Sequence, residues 1–430
     1  MAVLQAFRAL RFDPQKVRDL GKVVAPPYDI ISEREQDYYY ALHPHNVIRL
    51  DYGKAQAGDS AKANKYTRAA KLLELWTAQG VLKRDAQPAL YLAAQDYQGP
   101  DKKKRTFAGV YAALKLEDYK KGVVRPHEKT LSKPKADRLE LTKATRVNFS
   151  PIFFLYDDPK AKGAKWMAAQ MKKKPAFDFK TPSGERHRLW LVQGAAVKAY
   201  TQALAKSAIY IADGHHRYET MLVYSKSSKA ASAKLTMACL TPFQSPGLMI
   251  LPTHRLVHGL KGFQADRLIQ ALARDFEVRP QAGLDQLQQA MAKAGAKGSS
   301  RHVFGLVLAH GAHYYSLSLR LSLDPVQLLP GKRSPAYKQL DVAILQALVL
   351  EKVLGMTSDS IAAQEGIRFE KGADKSAKQA LAGLAQAAFL VNATRMDQLK
   401  AVSDAKDVMP QKSTYFQPKL ITGAVLRPLA

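Results

Sequence analysis

The chain has 430 residues, 47% of them hydrophobic and 9% aromatic, a composition typical of a globular protein with a large core and more than one domain. Its single cysteine, Cys239, excludes a disulfide framework within the chain and fits a reducing compartment. The formal net charge of +29 is compatible with nucleic-acid binding, but the basic runs are short and no helix-turn-helix, zinc-ligand spacing or stacking motif accompanies them, so a generally basic surface is the preferred interpretation.

The first residues contain no uninterrupted apolar run of the kind found in signal peptides. No segment reaches the roughly 18 consecutive apolar residues that a membrane-spanning helix requires. We therefore expect a soluble, cytoplasmic protein without a membrane partner.

Periodicity, capping residues and turn residues predict alternating short strands and helices along the first 251 residues. Ser32 and Glu35 have the spacing of a capping box at the start of one helix. The predicted elements, in chain order, are a strand at 4–7, a turn at 26–29, helices at 32–42 and 60–79, strands at 89–97 and 106–115, a long polar loop with helical turns at 125–148, strands at 150–156 and 189–192, a helix at 195–206, a strand at 208–211, a helix at 218–224, and strands at 235–241 and 248–251.

The pattern changes near residues 259–262, after which the sequence predicts helices at 264–276, 284–294 and 341–354 and a hairpin formed by 303–309 and 314–319. Hairpins with interspersed helices predict an α+β (mixed α/β) fold rather than a regular doubly wound sheet. We expect two regions. Residues 1–258 form the first, with an inserted lid segment at about 120–148, and residues 259–430 form an α/β region that contributes to the same site.

The most informative stretch follows the predicted strand at 208–211 and contains Asp213, Gly214, His215, His216 and Arg217. Glycine lets the backbone turn sharply and approach a ligand closely. A helix N-terminus carries the positive end of the helix dipole, which suits phosphate. The arginine adds a planar fork that matches phosphate oxygens, and the two histidines add donors or a titratable group. This stretch therefore predicts a phosphate-binding turn, the alternative being a helix N-terminus that simply ends in water.

Two further roles are predicted within this stretch. Asp213 and His216 are candidate catalytic groups. Asp213 is also a candidate ligand for Mg²⁺ carried by a nucleotide, because such an ion needs only one or two protein carboxylates. Adjacent His215 and His216 diverge on a helix and do not have the spacing of a two-histidine metal site. No tightly bound organic cofactor is expected.

A rigid turn precedes the first helix, at Tyr28 and Asp29, where two prolines fix the backbone. The turn is either purely structural or presents these two side chains to a substrate. The polar segment that begins at Arg125 contains His127, Glu128 and Lys129. It combines phosphate donors with a candidate general base, and the competing interpretation is a solvated charged loop.

Two short polar clusters lie farther along the chain. Arg255 follows a predicted strand, and Lys412 and Ser413 lie near the C-terminus, with Lys419 beyond them. Their cationic and hydroxyl groups suit an anionic substrate. We predict that Arg255, Lys412 and Ser413 contact the substrate.

Six motifs indicate a family. Ala-Pro-Pro-Tyr-Asp-Ile-Ile, Arg-Pro-His-Glu-Lys-Thr, Asn-x-Ser-Pro-Ile-Phe, Ala-Asp-Gly-His-His-Arg-Tyr-Glu-Thr, Leu-Pro-Thr-His-Arg and Met-Pro-x-Lys-Ser-Thr-Tyr-Phe-x-Pro-Lys resemble, in order and over nearly the whole chain, domain-of-unknown-function family 1015. That family name implies no activity.

A more distant resemblance concerns Asp-Gly-His-His-Arg, which is similar to the phosphate-binding box of the ParB/sulfiredoxin-like superfamily. The superfamily includes partition proteins, sulfiredoxins and free-serine kinases, and its box lies between a strand and a helix and holds nucleotide phosphates. The resemblance implies a ParB/sulfiredoxin-like core with large insertions. His215 stands where a sulfiredoxin has its reactive cysteine, and the helix-turn-helix of partition proteins is absent. In the kinases an acidic residue from elsewhere acts as the base, a role that we assign to Glu128, with Asp29 as the next candidate.

The leading interpretation is therefore a small-molecule phosphotransferase that uses Mg²⁺ with a nucleotide or another phosphorylated ligand and acts on free serine or a similar hydroxylated metabolite. One alternative is a nucleotide-responsive regulatory or binding protein without turnover. The other is a nucleic-acid-associated factor that exploits the charge of +29.

Overall fold

The computed structural model describes residues 1–128, 132–296, 298–309 and 313–429, with side chains throughout these ranges except at 132–134. The chain forms two compact units. The first unit comprises Met1–Pro126, Thr130–Met249 and Gln417–Ala430, and the second comprises His127–Lys129 and Ile250–Phe416. No helix within the described ranges is both long enough and apolar enough to cross a membrane.

Up to residue 251 short helices and strands are interspersed. In chain order they are β1 (Leu4–Gln5), β2 (Leu10–Phe12), α1 (Pro14–Val17), α2 (Glu33–Leu42), α3 (Ile48–Asp51), α4 (Lys65–Ala78), β3 (Leu82–Arg84), β4 (Leu90–Gln98), β5 (Lys104–Lys115), β6 (Val124–Arg125), α5 (Ser132–Thr145), β7 (Val147–Asn148), β8 (Ile152–Tyr156), α6 (Lys162–Met171), β9 (Phe177–Lys180), β10 (Arg186–Val192), α7 (Ala195–Leu204), β11 (Ile209–Asp213), α8 (His215–Ser227), β12 (Leu235–Pro242) and β13 (Met249–Leu251).

The remaining residues form a second set of elements. They are β14 (His254–Val257), α9 (Ala265–Leu272), β15 (Phe276–Gln281), α10 (Leu284–Gly295), β16 (Val303–Val307), β17 (Tyr314–Leu319), α11 (Pro325–Leu328), α12 (Pro335–Lys338), α13 (Asp341–Ile344) continued by a π-helical segment (Leu345–Val353), α14 (Ser358–Ala363), β18 (Ile367–Glu370), α15 (Ala373–Leu381), β19 (Ala387–Leu390), α16 (Met396–Asp404), β20 (Tyr415–Gln417) and β21 (Arg427–Pro428).

The first unit is built on a mixed sheet with the strand order β6-β11-β8-β12-β5-β4-β10-β9, and β1 pairs with β5. The β6–β11 and β8–β12 pairs are parallel, whereas β11–β8, β12–β5, β4–β5, β10–β4 and β10–β9 are antiparallel. This mixture confirms the predicted α+β (mixed α/β) class. All five residues of β8 are buried, so the middle of the sheet is covered on both faces.

The sequence predicts a loop with helical turns at 125–148, but residues 132–145 form the helix α5. Its buried positions include Arg138, Thr142 and Thr145 beside Leu141, so no apolar periodicity marks the helix. The two threonine hydroxyls donate to backbone carbonyls one turn earlier, at 2.8 Å from the Arg138 and Leu141 oxygens. The helix packs between α4 and α8.

The second unit contains a sheet with the order β15-β17-β16-β19-β14-β18. Its pairs are all antiparallel within the described ranges, and β16 and β17 form the predicted hairpin. Helices α10 and α15 cover one face around an apolar cluster that includes Leu287, Met291 and Ala380.

Candidate functional site

The candidate site of the first unit lies where β11 ends and α8 begins. Gly214 joins them with φ +94° and ψ 31°, a left-handed conformation that glycine adopts without strain. The helix begins at His215 rather than at Tyr218, where the sequence predicts it, because the polar residues 215–217 already form its first turn. Gly214 has no side chain to cap that turn. The positive end of the α8 dipole therefore carries the predicted phosphate-binding residues.

Arg217 folds back over the glycine. A Cβ built on Gly214 would lie 2.9 Å from Arg217 Nε and 3.0 Å from its Cζ. The guanidinium donates through Nη1 to the carbonyl of Pro151, and its buried Nε has no hydrogen-bond partner within the described part of the chain. The Arg217 side chain is only 11% exposed. It is a desolvated cation with a donor still to satisfy.

Asp213, at the end of β11, is held as a carboxylate by two cations. Lys419 Nζ donates to its Oδ2 at 2.8 Å, and Arg217 Nη2 lies 4.0 Å from the same oxygen. Burial alone would raise the pKa of Asp213, but Lys419 and Arg217 outweigh it and hold the pKa well below its usual range. The roles of Asp213 in catalysis and in Mg²⁺ binding stay predictions, and the ion pair with Lys419 counts against direct ligation of a metal.

Replacing Lys419 by methionine should lower the free energy of unfolding by about 1–3 kcal/mol at neutral pH, the usual value of a hydrogen bond to a charged group. The folded-state pKa of Asp213 is depressed, so its contribution is present above the unfolded pKa of about 4 and is lost as the pH falls through the folded value. We expect the difference in the free energy of unfolding between the wild type and Lys419→Met, measured by urea unfolding, to become smaller below about pH 4. Lys180→Met, on an exposed position of β9, serves as the control. An equal difference in unfolding free energy at pH 7 and pH 3 would contradict the Asp213–Lys419 ion pair.

A second arginine, Arg138 of α5, lines the same small cavity as Arg217. Its Nη1 donates to Asp51 O at 2.7 Å and to Asp51 Oδ1 at 3.1 Å, and its Nε donates to Asp137 Oδ2 at 2.9 Å. The guanidinium carbon lies 3.9 Å from the centre of the Tyr28 ring. Burial opposes ionisation of Asp137, but Arg138 and Lys65 lower its pKa to about 2. The positive charge of Arg138 is thus neutralised by hydrogen-bonded carboxylates, whereas Arg217 has a carboxylate only at 4.0 Å within the described residues.

Tyr28 and Asp29 lie in a single 3-10 turn, and both are close enough to Arg217 for their charges to change its pKa. Burial opposes the charge of Arg217, but Asp29, Asp213 and Tyr28, in that order, raise its pKa above the usual value. Asp29 is exposed. The structure thus brings the predicted substrate-binding turn to the predicted phosphate-binding turn.

Interactions farther along α8 fix its position. The hydroxyl of fully buried Tyr218 donates to Glu117 O at 2.8 Å and accepts from Glu117 N at 3.0 Å. Glu219 pairs with Lys135 of α5 at 2.9 Å. Of the two histidines in the first turn, His215 is buried and His216 half-buried.

Arg125 reaches the same strand from its neighbour. It lies in β6, opposite Tyr210 of β11, and its Nη1 is 3.2 Å from the Tyr210 hydroxyl. Its role as a phosphate donor stays a prediction.

Five other predicted residues belong to the second unit, and four of them lie together there. Glu128 bridges to Met409, and its Oε1 accepts a 3.3 Å hydrogen bond from the backbone N–H of Lys412. His127 Nε2 lies 3.0 Å from the Thr414 hydroxyl. Ser413 is buried and its hydroxyl donates to Pro410 O. His127 and Glu128 therefore lie in one cluster with Lys412 and Ser413, although the sequence predicts two separate clusters.

Arg255 is the fifth of these residues and it is 3% exposed. It donates to the carbonyl of Thr253, and its Nη2 lies 3.5 Å from Lys412 O. Burial lowers the pKa of Arg255 to about 10. The roles predicted for His127, Glu128, Arg255, Lys412 and Ser413 stay predictions. Lys129 lies outside the described residues.

Sequence reasoning missed the part of Asp51 and Ser150 in this site. Asp51 is buried at the end of α3 and accepts a 3.1 Å hydrogen bond from the Ser150 hydroxyl. Burial raises the pKa of Asp51, against the opposing effect of Arg138. No local pattern in the sequence links Asp51 to Arg138 or to Ser150, so their contacts could not be predicted.

Comparison with known proteins gives one family and several remote structural similarities. The profile of the family described as "Protein of unknown function (DUF1015)" matches residues 4–343. No curated protein matches the chain.

Among solved structures, the chain is similar to a free serine kinase variant in complex with ADP, at 14% identity and a TM-score of 0.35, covering 72% of this chain and 87% of that one. It is similar to a conserved hypothetical protein from Pyrococcus furiosus, at 13% identity and a TM-score of 0.35, covering 74% and 95%. It is also similar to SbnI with a C-terminal truncation from Staphylococcus aureus, at 9% identity and a TM-score of 0.34, covering 71% and 84%.

Proposed function

The chain belongs to the DUF1015 family of proteins of unknown function, and we propose that it is a small-molecule phosphotransferase that binds a nucleotide or another phosphorylated ligand at the Gly214–Arg217 turn. The acceptor that we propose is free serine or a similar hydroxylated metabolite. The ParB/sulfiredoxin-like character of the core is part of the same proposal.

One observation carries the proposal: Arg217 lies over a left-handed glycine at the start of a 13-residue helix, with its buried Nε unpartnered within the described residues. An unsatisfied donor on a desolvated cation is costly, and an anionic oxygen placed there would remove that cost. The dipole of α8 acts in the same direction. Absence of a Cβ on Gly214 lets the Arg217 guanidinium lie against the backbone at the start of the helix.

The neighbouring charges support an anion at Arg217 rather than at Lys419 or Arg138. Lys419 is paired with Asp213 at 2.8 Å, and Arg138 with Asp51 at 3.1 Å. The ion pair that Arg217 makes within the described part of the chain, to Asp213, is 4.0 Å long. Arg217 therefore has the most to gain from a phosphate oxygen, for which its planar fork is suited.

Transfer of a phosphoryl group also needs a base to accept the hydroxyl proton of the acceptor. Asp29 is an exposed carboxylate beside Arg217, which supports it as a candidate. Glu128 is the candidate that the sequence favours. When bound with the nucleotide, Mg²⁺ would neutralise charge on the transferred group. If Glu128 is the base, exposed Asp29 is better suited to such an ion than Asp213, because Lys419 already neutralises Asp213.

A thermal-shift titration with ADP, ATP and pyrophosphate tests binding, because a ligand that binds only the native state raises its stability by mass action. Arg217→Ala should weaken binding about 10- to 100-fold, the value of one or two charge-assisted hydrogen bonds. Arg186→Ala is the matched control, since Arg186 is exposed on β10, toward the other edge of the same sheet, and pairs with Asp178.

Each other result has a definite meaning. Equal weakening in both arginine variants would show that binding follows overall charge, as expected for a nucleic-acid-associated factor, and would refute the proposal. Binding without transfer to serine or any other hydroxyl acceptor would favour a nucleotide-responsive regulatory protein.

A further inference from the structure

A polar cleft of about 200 Å³ lies in the second unit, at the end of the sheet where β16 begins and β19 ends. Its walls come from the end of α10, the segment before β16, the start of α13 and the start of α16. The side chains that line it include Arg301, His302, Asp341, Asn392 and Arg395. The proposed phosphotransferase function does not use these residues.

Asp341 and Asn392, which line the cleft, offer hydrogen-bond acceptors. Asp341 Oδ1 accepts from His302 Nδ1 at 2.7 Å. Asn392 Nδ2 donates to Met291 O at 3.1 Å and lies 3.5 Å from Asp341 Oδ2. Both hydrogens of the amide are thus directed at protein oxygens, so the acceptor capacity that remains is Asn392 Oδ1 and a further lone pair on each Asp341 oxygen. An ammonium group satisfies such a pair.

Gly295 makes this arrangement possible. A Cβ on Gly295 would lie 2.9 Å from Cγ of Asn392 and 3.1 Å from its Oδ1, closer than real contacts allow. The glycine at the end of α10 therefore lets the Asn392 amide approach the helix. An alanine at position 295 would displace the amide from its hydrogen bond with Met291.

A second set of groups lining the cleft is cationic, Arg301 and Arg395 among them. Helix α16 begins at Met396, and its N-cap residue is Arg395, whose side chain has no acceptor with which to cap the first amides. A cation at the positive end of a helix dipole is unfavourable, and Asp397, 3.2 Å from Arg395 Nε, offsets it only in part. Exposed Arg301 makes no ion pair within the described ranges. A carboxylate in the cleft would offset the positive charge of Arg301, of Arg395 and of the start of α16.

Because acceptor and cationic side chains line one cleft, we propose that it binds a free α-amino acid with a small side chain. The ammonium group contacts Asp341 and Asn392, and the carboxylate contacts the start of α16 with Arg395 and Arg301. A volume of about 200 Å³ suits a metabolite of this size and is too small for a nucleotide. This site is separate from the Gly214–Arg217 turn and does not depend on the function proposed for it.

Isothermal titration of the full chain with L-alanine tests the inference, because alanine has no hydroxyl and is no phosphoryl acceptor. We expect acetate and ethylammonium, which each carry one half of the recognised group, to bind at least about 10-fold more weakly than alanine. Asp341→Asn and Arg301→Ala should each weaken alanine binding about 10-fold. Arg301 is exposed, so its variant keeps the test valid if Asp341→Asn fails to fold.

Arg217→Ala is the control and should leave alanine binding unchanged. Three outcomes would overturn the inference: no binding of alanine at millimolar concentration, acetate binding as tightly as alanine, or loss of alanine binding in Arg217→Ala but not in Arg301→Ala. In the last case the amino acid binds at the proposed phosphotransferase site, so that function can stand while this inference fails.

Discussion

Gly214→Val should abolish binding of nucleotides and pyrophosphate, with a loss of affinity of at least about 100-fold, while the chain stays folded. A Cβ at this position would lie 2.9 Å from Arg217 Nε, so the guanidinium must leave the turn. The measurement is isothermal titration with ADP, accompanied by urea unfolding.

The control for this variant is Gly184→Val. Gly184 has φ +87°, close to the φ of +94° at Gly214, but a Cβ there would meet nothing within 4 Å. It lies in the turn between β9 and β10, toward the opposite edge of the sheet. Both variants carry the same backbone strain, of about 1–3 kcal/mol. If Gly184→Val lost binding as well, strain rather than the blocked turn would explain the result.

Replacing the general base by its amide should lower turnover about 10²–10⁴-fold and leave nucleotide binding intact, because the amide keeps the shape of the carboxylate but accepts no proton. Two variants separate the candidates. Glu128→Gln tests the residue that the sequence favours, and Asp29→Asn tests the carboxylate that the structure places beside Arg217. The measurement is a phosphate-transfer assay with serine, run separately with ADP, ATP and pyrophosphate.

The pattern across the two variants identifies the base. Loss of turnover in Asp29→Asn alone would assign the proton transfer to Asp29, and loss in Glu128→Gln alone would assign it to Glu128. Asp178→Asn, on β9, controls for the removal of a carboxylate. Full turnover in all three variants would contradict general-base catalysis by either residue.

Local signals in the sequence predicted much of the fold. The capping box of Ser32 and Glu35 is present, with Ser32 N–H donating to Glu35 Oε2 at 2.8 Å. Apolar runs with clear turns predicted β4, β5, β8 and β12 close to their observed bounds. Helix α5 was not predicted because its buried face is largely polar, and a polar face gives no hydrophobic periodicity.

In the candidate site, too, local features could be predicted from the sequence and long-range contacts could not. Gly214 and Arg217 were found because a strand–glycine–cation sequence is a local signal with a physical meaning. The ion pairs of Asp213 with Lys419 and of Arg138 with Asp51 join residues 206 and 87 positions apart. Such partners are chosen by the tertiary fold, so a single sequence contains no signal for them.

The most direct test of the central claim is a crystal structure of the wild-type chain grown with ADP. We expect a phosphate group at the N-terminus of α8, with its oxygens within hydrogen-bond distance of the Arg217 guanidinium. Nucleotide bound elsewhere, with the start of α8 free of phosphate, would contradict it.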